Sequence, residues 1–492
     1  MENHISLLLV VAPLIAAPVV AVLPRGRWPW AVAFFVAALC AALAGMQLWT
    51  VVHEGAISYE LGGWAPLWGI EYRIDAVNAY MALIVAAIAA ITLPYALLSS
   101  EREIPGEKIP LFYSAMLLCL TGLLGITQTG DIFNAFVFLE ISSLSSYALI
   151  SLGKKRQAFT AAYQYLIMGT IGATFYLIGV GLIYSQTGSL NMQDVATILP
   201  GVLHLKTVET GFAFIMIGIA LKLALFPLHL WLPNAYTYAP SVVTVFLAAT
   251  ATKVAIYLML RILFTVFPSG FAMGTPAEEV FIAAGIAGII IASIYAIYQA
   301  DVKRLLAYSS VAQIGYMALG IGFASAAGIT AALIHLFNHA LMKGALFMAI
   351  GAIIYRVDVC RMDQIHGLGR AMPWTFGAIV IGGLSLVGVP GTAGFISKWY
   401  LVTAALEQAA WISVAVILFG SLLAVVYIGK LIEALYFKPI TDTGKVVSEA
   451  PVLLLVPTWA LVLANLYFGL DTTLTVGVAE KAAAVLLGGV KP

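Results

Sequence analysis

The amino-acid sequence predicts an all-α polytopic membrane protein of about fourteen transmembrane helices. Three observations carry that prediction: a hydrophobic share of 62%, a charged share of only 10%, and apolar runs that follow one another along all 492 residues. A soluble domain carries roughly a quarter charged residues. No soluble core could hide this much apolar surface, so the solvent for most of the chain is lipid. A bilayer core takes about 20 apolar residues per helix. Backbone groups in hydrocarbon must be satisfied within the protein, and long runs without alternation exclude a barrel.

Taken in order, the runs between polar breaks predict helices at 5–23, 30–52, 76–98, 109–128, 131–152, 158–185 and 209–231. They continue at 241–267, 277–298, 304–323, 326–355, 374–405, 411–437 and 450–470. The opening Met1-Glu2-Asn3-His4 lacks the positive region of a signal peptide, so 5–23 is expected to be a span. A formal charge of +1 gives no reason to expect a nucleic-acid partner. Cys40, Cys119 and Cys360 show neither paired nor metal-ligand spacing.

Lysine and arginine set the expected orientation. Loops after odd-numbered helices carry fourteen of them, among them Arg25, Arg102, Lys154, Lys155, Arg156, Lys303, Arg304, Arg361, Lys438 and Lys445. The opposite side carries only Arg73, Lys206, Lys481 and Lys491. Odd loops are therefore expected in the cytoplasm of a bacterial cell and both termini outside its plasma membrane.

A repeat runs through the middle of the chain. Ser142-Ser143 recurs as Ser309-Ser310, 167 positions on, and Ala161-Ala162 and Tyr184 recur as Ala331-Ala332 and Tyr355. Pro227 has a counterpart in Pro390, 163 positions on. Chance likeness between apolar helices is the other reading. If the repeat holds, helices 4–8 map onto helices 9–13, and five helices being an odd number, the second unit is inverted. The expected organisation is then 1–108 for helices 1–3, 109–267 and 268–438 for the two five-helix repeats, and 439–492 for helix 14 and a tail. Inverted repeats with broken helices are a transporter architecture.

Two breaks fall in corresponding places. Phe226-Pro227-Leu228-His229-Leu230-Trp231-Leu232-Pro233 cannot be one regular helix, and neither can Gly388-Val389-Pro390-Gly391-Thr392-Ala393-Gly394. Backbone freed this way is tolerated in a membrane where it lines protein or water. A packing kink is the bland reading. A lysine beside each break favours a pathway.

Glu140, Lys222, Lys253 and Lys398 all fall within apolar helices. Each such charge costs about 2.5–3.5 kcal/mol on insertion scales, so it is expected to have partners or a task. Desolvation disfavours an ammonium and a nearby carboxylate favours it, so Glu140 paired with Lys222 would make an electrostatic switch whose state biases Lys253. Structural neutralisation is the alternative. Arginine would not serve, because it does not deprotonate in proteins. The eleventh helix adds His335, His339 and Lys343 on one face, at four-residue steps. Imidazoles pass protons between their two nitrogens. A metal is not expected, since no Glu follows the first His as in H-E-x-x-H. Ser142, Ser143, Ser145, Ser146, Gln164, Thr170, Thr174, Thr250, Thr252 and Asn338 could hold water between these groups, although such residues more often bond backbone. There is no P-loop, dinucleotide fingerprint, iron–sulfur framework or haem motif, so no cofactor is expected.

Three long motifs resemble antiporter-like subunits of respiratory complex I, Mrp cation/proton antiporters and membrane-bound hydrogenases. They are Lys222-Leu-Ala-Leu-Phe-Pro227-Leu-His229-Leu-Trp231-Leu-Pro233, Asp301-Val-Lys303-Arg304-Leu-Leu-Ala-Tyr-Ser309-Ser310, and His335-Leu-Phe-Asn-His339-Ala-Leu-Met-Lys343. The resemblance covers essentially the whole chain. It implies fourteen helices, two inverted five-helix repeats, broken seventh and twelfth helices, a Glu140–Lys222 pair, Lys253 as central relay and Lys398 toward the exit. Only 22 residues follow Leu470, too few for the long lateral helix of one complex I subunit or for the large A-type Mrp protein. Length and the Ala-Thr-Lys253-Val stretch are most similar to the D-type Mrp protein, with the quinone-proximal complex I subunit and the hydrogenase subunits as rivals. The expected function is a proton-translocating subunit of a multisubunit Na⁺ or K⁺/H⁺ antiporter, working with other membrane subunits. A redox-driven proton pump is the alternative, and a membrane scaffold with neutralised ion pairs the third.

Overall fold

A computed structural model describes residues 4–66, 68–268, 275–439 and 447–488. Lys445 and Lys491, which contribute to the charge asymmetry, lie outside the described residues, as do Met1–Asn3. The chain is a multi-pass helical membrane protein. Among the described residues twelve helices are long and apolar enough to cross a membrane.

The first six runs form Ile5–Val22, Trp28–Glu54, Ala76–Glu103, Ile109–Gln128, Ile132–Ser151 and Arg156–Thr187. Later runs form Ala277–Ile297, Val302–Gly322, Ala326–Val357, Trp411–Ile432 and Val452–Leu470. Two elements between the second and seventh runs were not expected. Ile57–Glu60 pairs antiparallel with Glu71–Ile74 in a hairpin, and Met192–Ile198 is a short helix. A further helix, Thr473–Leu486, follows the last run.

Both breaks are present. Lys206–Leu223 and Trp231–Tyr238 are separate helices, as are Pro373–Val387 and Ala393–Glu407. The first of each pair ends on a left-handed residue, Ala224 at φ 60° and Gly388 at φ 93°. The eighth run, expected to be continuous, is also interrupted. Ser241–Ala249 and Ala251–Arg261 meet at Thr250 (φ −126°, ψ −58°), and 262–266 is a π-helical turn. No proline or glycine announces this interruption. Its cause is side-chain competition: the Thr250 hydroxyl donates to the Phe246 carbonyl (2.6 Å) and Lys253 takes the Ala248 carbonyl.

Local geometry recurs along the chain. Asp131 caps Ile132–Ser151 by accepting from the Asn134 amide, and Asp301 caps Val302–Gly322 by accepting from the Arg304 amide. Ile132 N–H donates to the Leu190 carbonyl and Met192 N–H to that of Gly130; Val302 and Met362 donate in the same way to Cys360 and Ala300, 170 positions on. The first bridge lies by Glu71, at the end where Ala76–Glu103 begins. The second lies by the Arg102–Asp358 ion pair, at the end where that helix closes. Ser241–Val266 and Val302–Gly322 are almost wholly enclosed, whereas Ala277–Ile297 and Trp411–Phe437 leave most of their surface outward. Lys253 sits on the first of these enclosed helices, and His335, His339 and Lys343 on Ala326–Val357, which is mostly enclosed as well.

Candidate functional site

Lys222 occupies the last turn before the first break. Its ammonium lies 3.1 Å from the Glu140 carboxylate, 2.6 Å from the Ser143 hydroxyl and 3.4 Å from the Tyr147 hydroxyl. The expected pair is therefore made, and it is lopsided: the lysine side chain is 6% exposed and the glutamate 25%. Tyr147 reaches the lysine over Gly169, where an added methyl would overlap its hydroxyl. Across the break, the Trp231 indole donates to the Leu221 carbonyl (2.9 Å), which otherwise accepts only from the left-handed Ala224 amide (3.2 Å). Trp231 stacks on Tyr165, whose ring meets Tyr147 edge-on. The break is thus closed by Trp231 from its own far side, held against Tyr165 and Tyr147 of neighbouring helices.

A cavity of about 30 Å³ separates Lys222, Ser143 and Ser146 from Ala251, Val254 and Ala255 of the next helix. That volume has room for one water. Lys253 stands on the same helix, fully buried, donating to the Ala248 carbonyl and to the Thr252 hydroxyl (3.3 Å). Lys343 donates to the Leu306 carbonyl (2.8 Å) and the Ser309 hydroxyl. Among the described residues no carboxylate pairs with Lys253, Lys343 or Lys398.

The histidines lie between these lysines. His335 and His339 stack with parallel rings, 6.2 Å between centroids. His335 Nδ1 is 2.8 Å from the Ser397 hydroxyl, and both nitrogens of His339 are enclosed without a hydrogen-bond partner. Both histidines share their helix with Lys343, and through Ser397 His335 touches the helix that carries Lys398. Ser397 is the residue before Lys398, so the eleventh run meets the second break there.

Lys398 follows that break and reaches back across it. It donates to the Leu386 (3.0 Å) and Val387 (2.8 Å) carbonyls, which end the first half-helix, and to the Ser421 hydroxyl (3.0 Å). Its ammonium also sits 5.0 Å from the centre of the Tyr316 ring. A cation at a helix C-terminus is favoured by the macrodipole.

Several polar residues behave as the bland reading expects. Ser142, Ser145, Ser146 and Thr250 bond carbonyls of their own helices. Others were missed. Lys303 is buried and donates to the Ala239 carbonyl (2.6 Å), although it was expected in an aqueous loop. Arg261 is buried against Asp75, Asn78 and Tyr257. Two signals could have found Arg261. It lies two four-residue steps beyond Lys253, and Asp75-x-x-Asn78 has the form of a capping box, which the structure contains.

Residues 129–424 match the family described as NADH:quinone oxidoreductase/Mrp antiporter, TM. The NADH-quinone oxidoreductase subunit N of Desulforudis audaxviator is 43% identical over 447 residues, covering 90% of this chain and 89% of the relative. The D-type protein of the Na(+)/H(+) antiporter of Alkalihalophilus pseudofirmus is 31% identical over 375 residues, covering 76% and 74%. Among solved structures, a chain of the membrane-bound sulfane sulfur reductase, an archaeal respiratory membrane complex, superposes with a TM-score of 0.90 at 32% identity, covering 98% of both chains. A chain of the Mrp complex from Dietzia sp. DQ12-45-1b does so with the same TM-score at 26% identity, covering 99% and 97%.

Proposed function

This chain belongs to the NADH:quinone oxidoreductase/Mrp antiporter membrane family, and from that premise we propose that it is the proton-translocating membrane subunit of a redox-driven respiratory complex of the complex I type. Its 43% identity to a quinone oxidoreductase subunit, against 31% to a D-type antiporter protein, weighs against the Mrp assignment favoured by chain length and the Ala-Thr-Lys253-Val stretch. The antiporter remains the second reading, supported by the superposition on an Mrp chain over almost its full length.

The observation that carries proton movement is the row of buried amines and imidazoles that, among the described residues, has a paired carboxylate at one end only. With Glu140 at 3.1 Å, the Lys222 ammonium is stabilised. Drawing Glu140 toward its exposed side removes that stabilisation, and Lys222 gives up its proton toward Ser143 and the adjoining cavity. Lys253 receives it, His339 and His335 carry it past Ser397, and Lys398 holds it at the second break. Energy enters as the position of Glu140, set by neighbouring subunits of the complex. We place the two ends of the path by the Lys/Arg asymmetry: the Arg102–Lys154 end in the cytoplasm, both termini outside. The 170-residue recurrence of caps and bridges supports two five-helix units of opposite orientation, with fourteen spans in all.

Inverted membrane vesicles containing the assembled complex test both parts. Addition of the electron donor should quench a pH-sensitive dye in the wild type and not in Lys222→Ala. Quenching that needs only a Na⁺ or K⁺ gradient would favour the antiporter reading.

A further inference from the structure

We infer that the groove between Arg156–Thr187, Trp231–Tyr238 and the first turns of Val302–Gly322 binds the headgroup of an anionic phospholipid. The groove encloses about 410 Å³ and is lined by the polar Gln164, Asn234 and Arg304 and the aromatic Tyr163, Trp231 and Tyr308. Asn234 donates to Gln164 at 2.7 Å, so those two satisfy one another. Arg304 has no such neighbour. Its Nε is enclosed without a partner, and among the described residues no carboxylate pairs with its guanidinium. A half-buried cation without an acceptor is an unbalanced site. Its fork of donors fits a phosphodiester in a bidentate way that a lysine would not.

The surroundings favour an amphiphile over a soluble anion. Phe159, Tyr163, Ile167 and Ile171 stand outward at four-residue spacing and form an apolar ridge leading away from Arg304. An acyl chain laid along that ridge keeps its phosphate at the guanidinium. Lys154, Lys155 and Arg156 are exposed where the same helix begins. At 1.5 Å per residue, Arg156 is about 10 Å from Tyr163 along the axis. Basic groups flanking a pocket between membrane helices attract anionic headgroups.

The test uses the whole complex, purified in mild detergent and reconstituted with phosphatidylglycerol or phosphatidylcholine. Native mass spectrometry counts retained lipid, and brominated phosphatidylglycerol quenches the Trp231 contribution to fluorescence, defined by the loss in Trp231→Phe. Phosphatidylglycerol should be retained and phosphatidylcholine not. Arg304→Gln should weaken retention about tenfold, the scale of one charged hydrogen bond. Gln164→Glu should expel the lipid by supplying Arg304 with a carboxylate of its own, and it keeps the idea testable if Arg304→Gln fails to assemble. Unchanged retention in both variants overturns the proposal. So does displacement by inorganic phosphate, which would make this a soluble-anion site. Near-quantitative cross-linking of Tyr163→Cys to another subunit would make it a protein interface instead.

Discussion

The two broken segments solve one problem in different ways. Each leaves a half-helix with free carbonyls inside the membrane, and each has a lysine beside it. At the first break, Lys222 lies before the gap and is matched by a carboxylate, while Trp231 takes the Leu221 carbonyl. At the second, Lys398 lies after the gap and itself takes the carbonyls of Leu386 and Val387. One ammonium is therefore held by a partly exposed carboxylate. The other is held by fixed backbone dipoles. An input that shifts Glu140 acts on the first lysine directly and on the second only through the residues between them. In the proposed relay the first break is therefore the controlled end and the second the receiving end.

The largest expected effects come from removing the groups that differ. Lys222→Ala and Glu140→Gln should both abolish dye quenching in vesicles while native gels show an intact complex. Full-rate pumping in Glu140→Gln would reduce the pair to packing and erase the distinction between the breaks. Lys253→Arg and Lys398→Arg keep charge and donors but cannot release a proton. Both should assemble and fail to pump. If the Arg variants run near the wild-type rate and the Ala variants do not assemble, the second break is structural and the relay lies elsewhere.

A smaller effect is expected at Gly169, where a methyl would displace the Tyr147 hydroxyl from Lys222. Gly169→Ala should slow pumping several-fold and leave assembly intact. Tyr147→Phe removes the same hydroxyl without steric change, on the scale of a net hydrogen bond of about 1 kcal/mol, and should reproduce the slowing. If Tyr147→Phe pumps normally while Gly169→Ala does not, the defect is one of helix packing between Ile132–Ser151 and Arg156–Thr187.

Most of this arrangement was legible in the sequence, because membrane helices announce themselves. Apart from the seventh, eighth and twelfth, which the structure divides, the apolar runs fall within a few residues of single helices, and the prolines marked both expected breaks. Glu140 and Lys222 could be paired in advance, since a lone carboxylate within an apolar run and a lysine within another have few other partners. The interruption at Thr250 was hidden. It arises from Thr250 and Lys253 competing for carbonyls of their own helix, and neither residue type signals a break by itself. Lys303 was misplaced for a related reason: a lysine two residues after an aspartate reads as loop, yet Asp301 caps the helix and Lys303 is carried inward to the Ala239 carbonyl. Arg261 escaped notice because its partners, Asp75 and Asn78, are remote in sequence. Charge in an apolar run is visible from sequence. What satisfies it is visible only when both ends are close or few.

The smallest effects should come from exchanging the residues that turn the two breaks, and there the comparison is sharpest. Ala224 and Gly388 share a left-handed backbone, which costs a residue with a Cβ about 1–2 kcal/mol. Ala224→Gly gains that relief. It also loses about 0.5–1 kcal/mol through greater freedom of the unfolded chain and about 0.8 kcal/mol for a buried methyl. These terms nearly cancel, so its thermal unfolding in detergent should stay within about 2 °C of the wild type. Gly388→Ala is not the mirror image. It takes on the backbone cost, and its new methyl would stand 2.9 Å from Lys398 Cδ, so that the side chain holding the break must shift. It should lower the unfolding temperature and slow pumping together, whereas Ala224→Gly changes neither. Equal losses in the two variants would mean that the turn is the fragile feature of both breaks. A loss in Gly388→Ala alone means that at the second break the turn and the lysine form one unit, while at the first the lysine answers to Glu140 and the turn is only a turn.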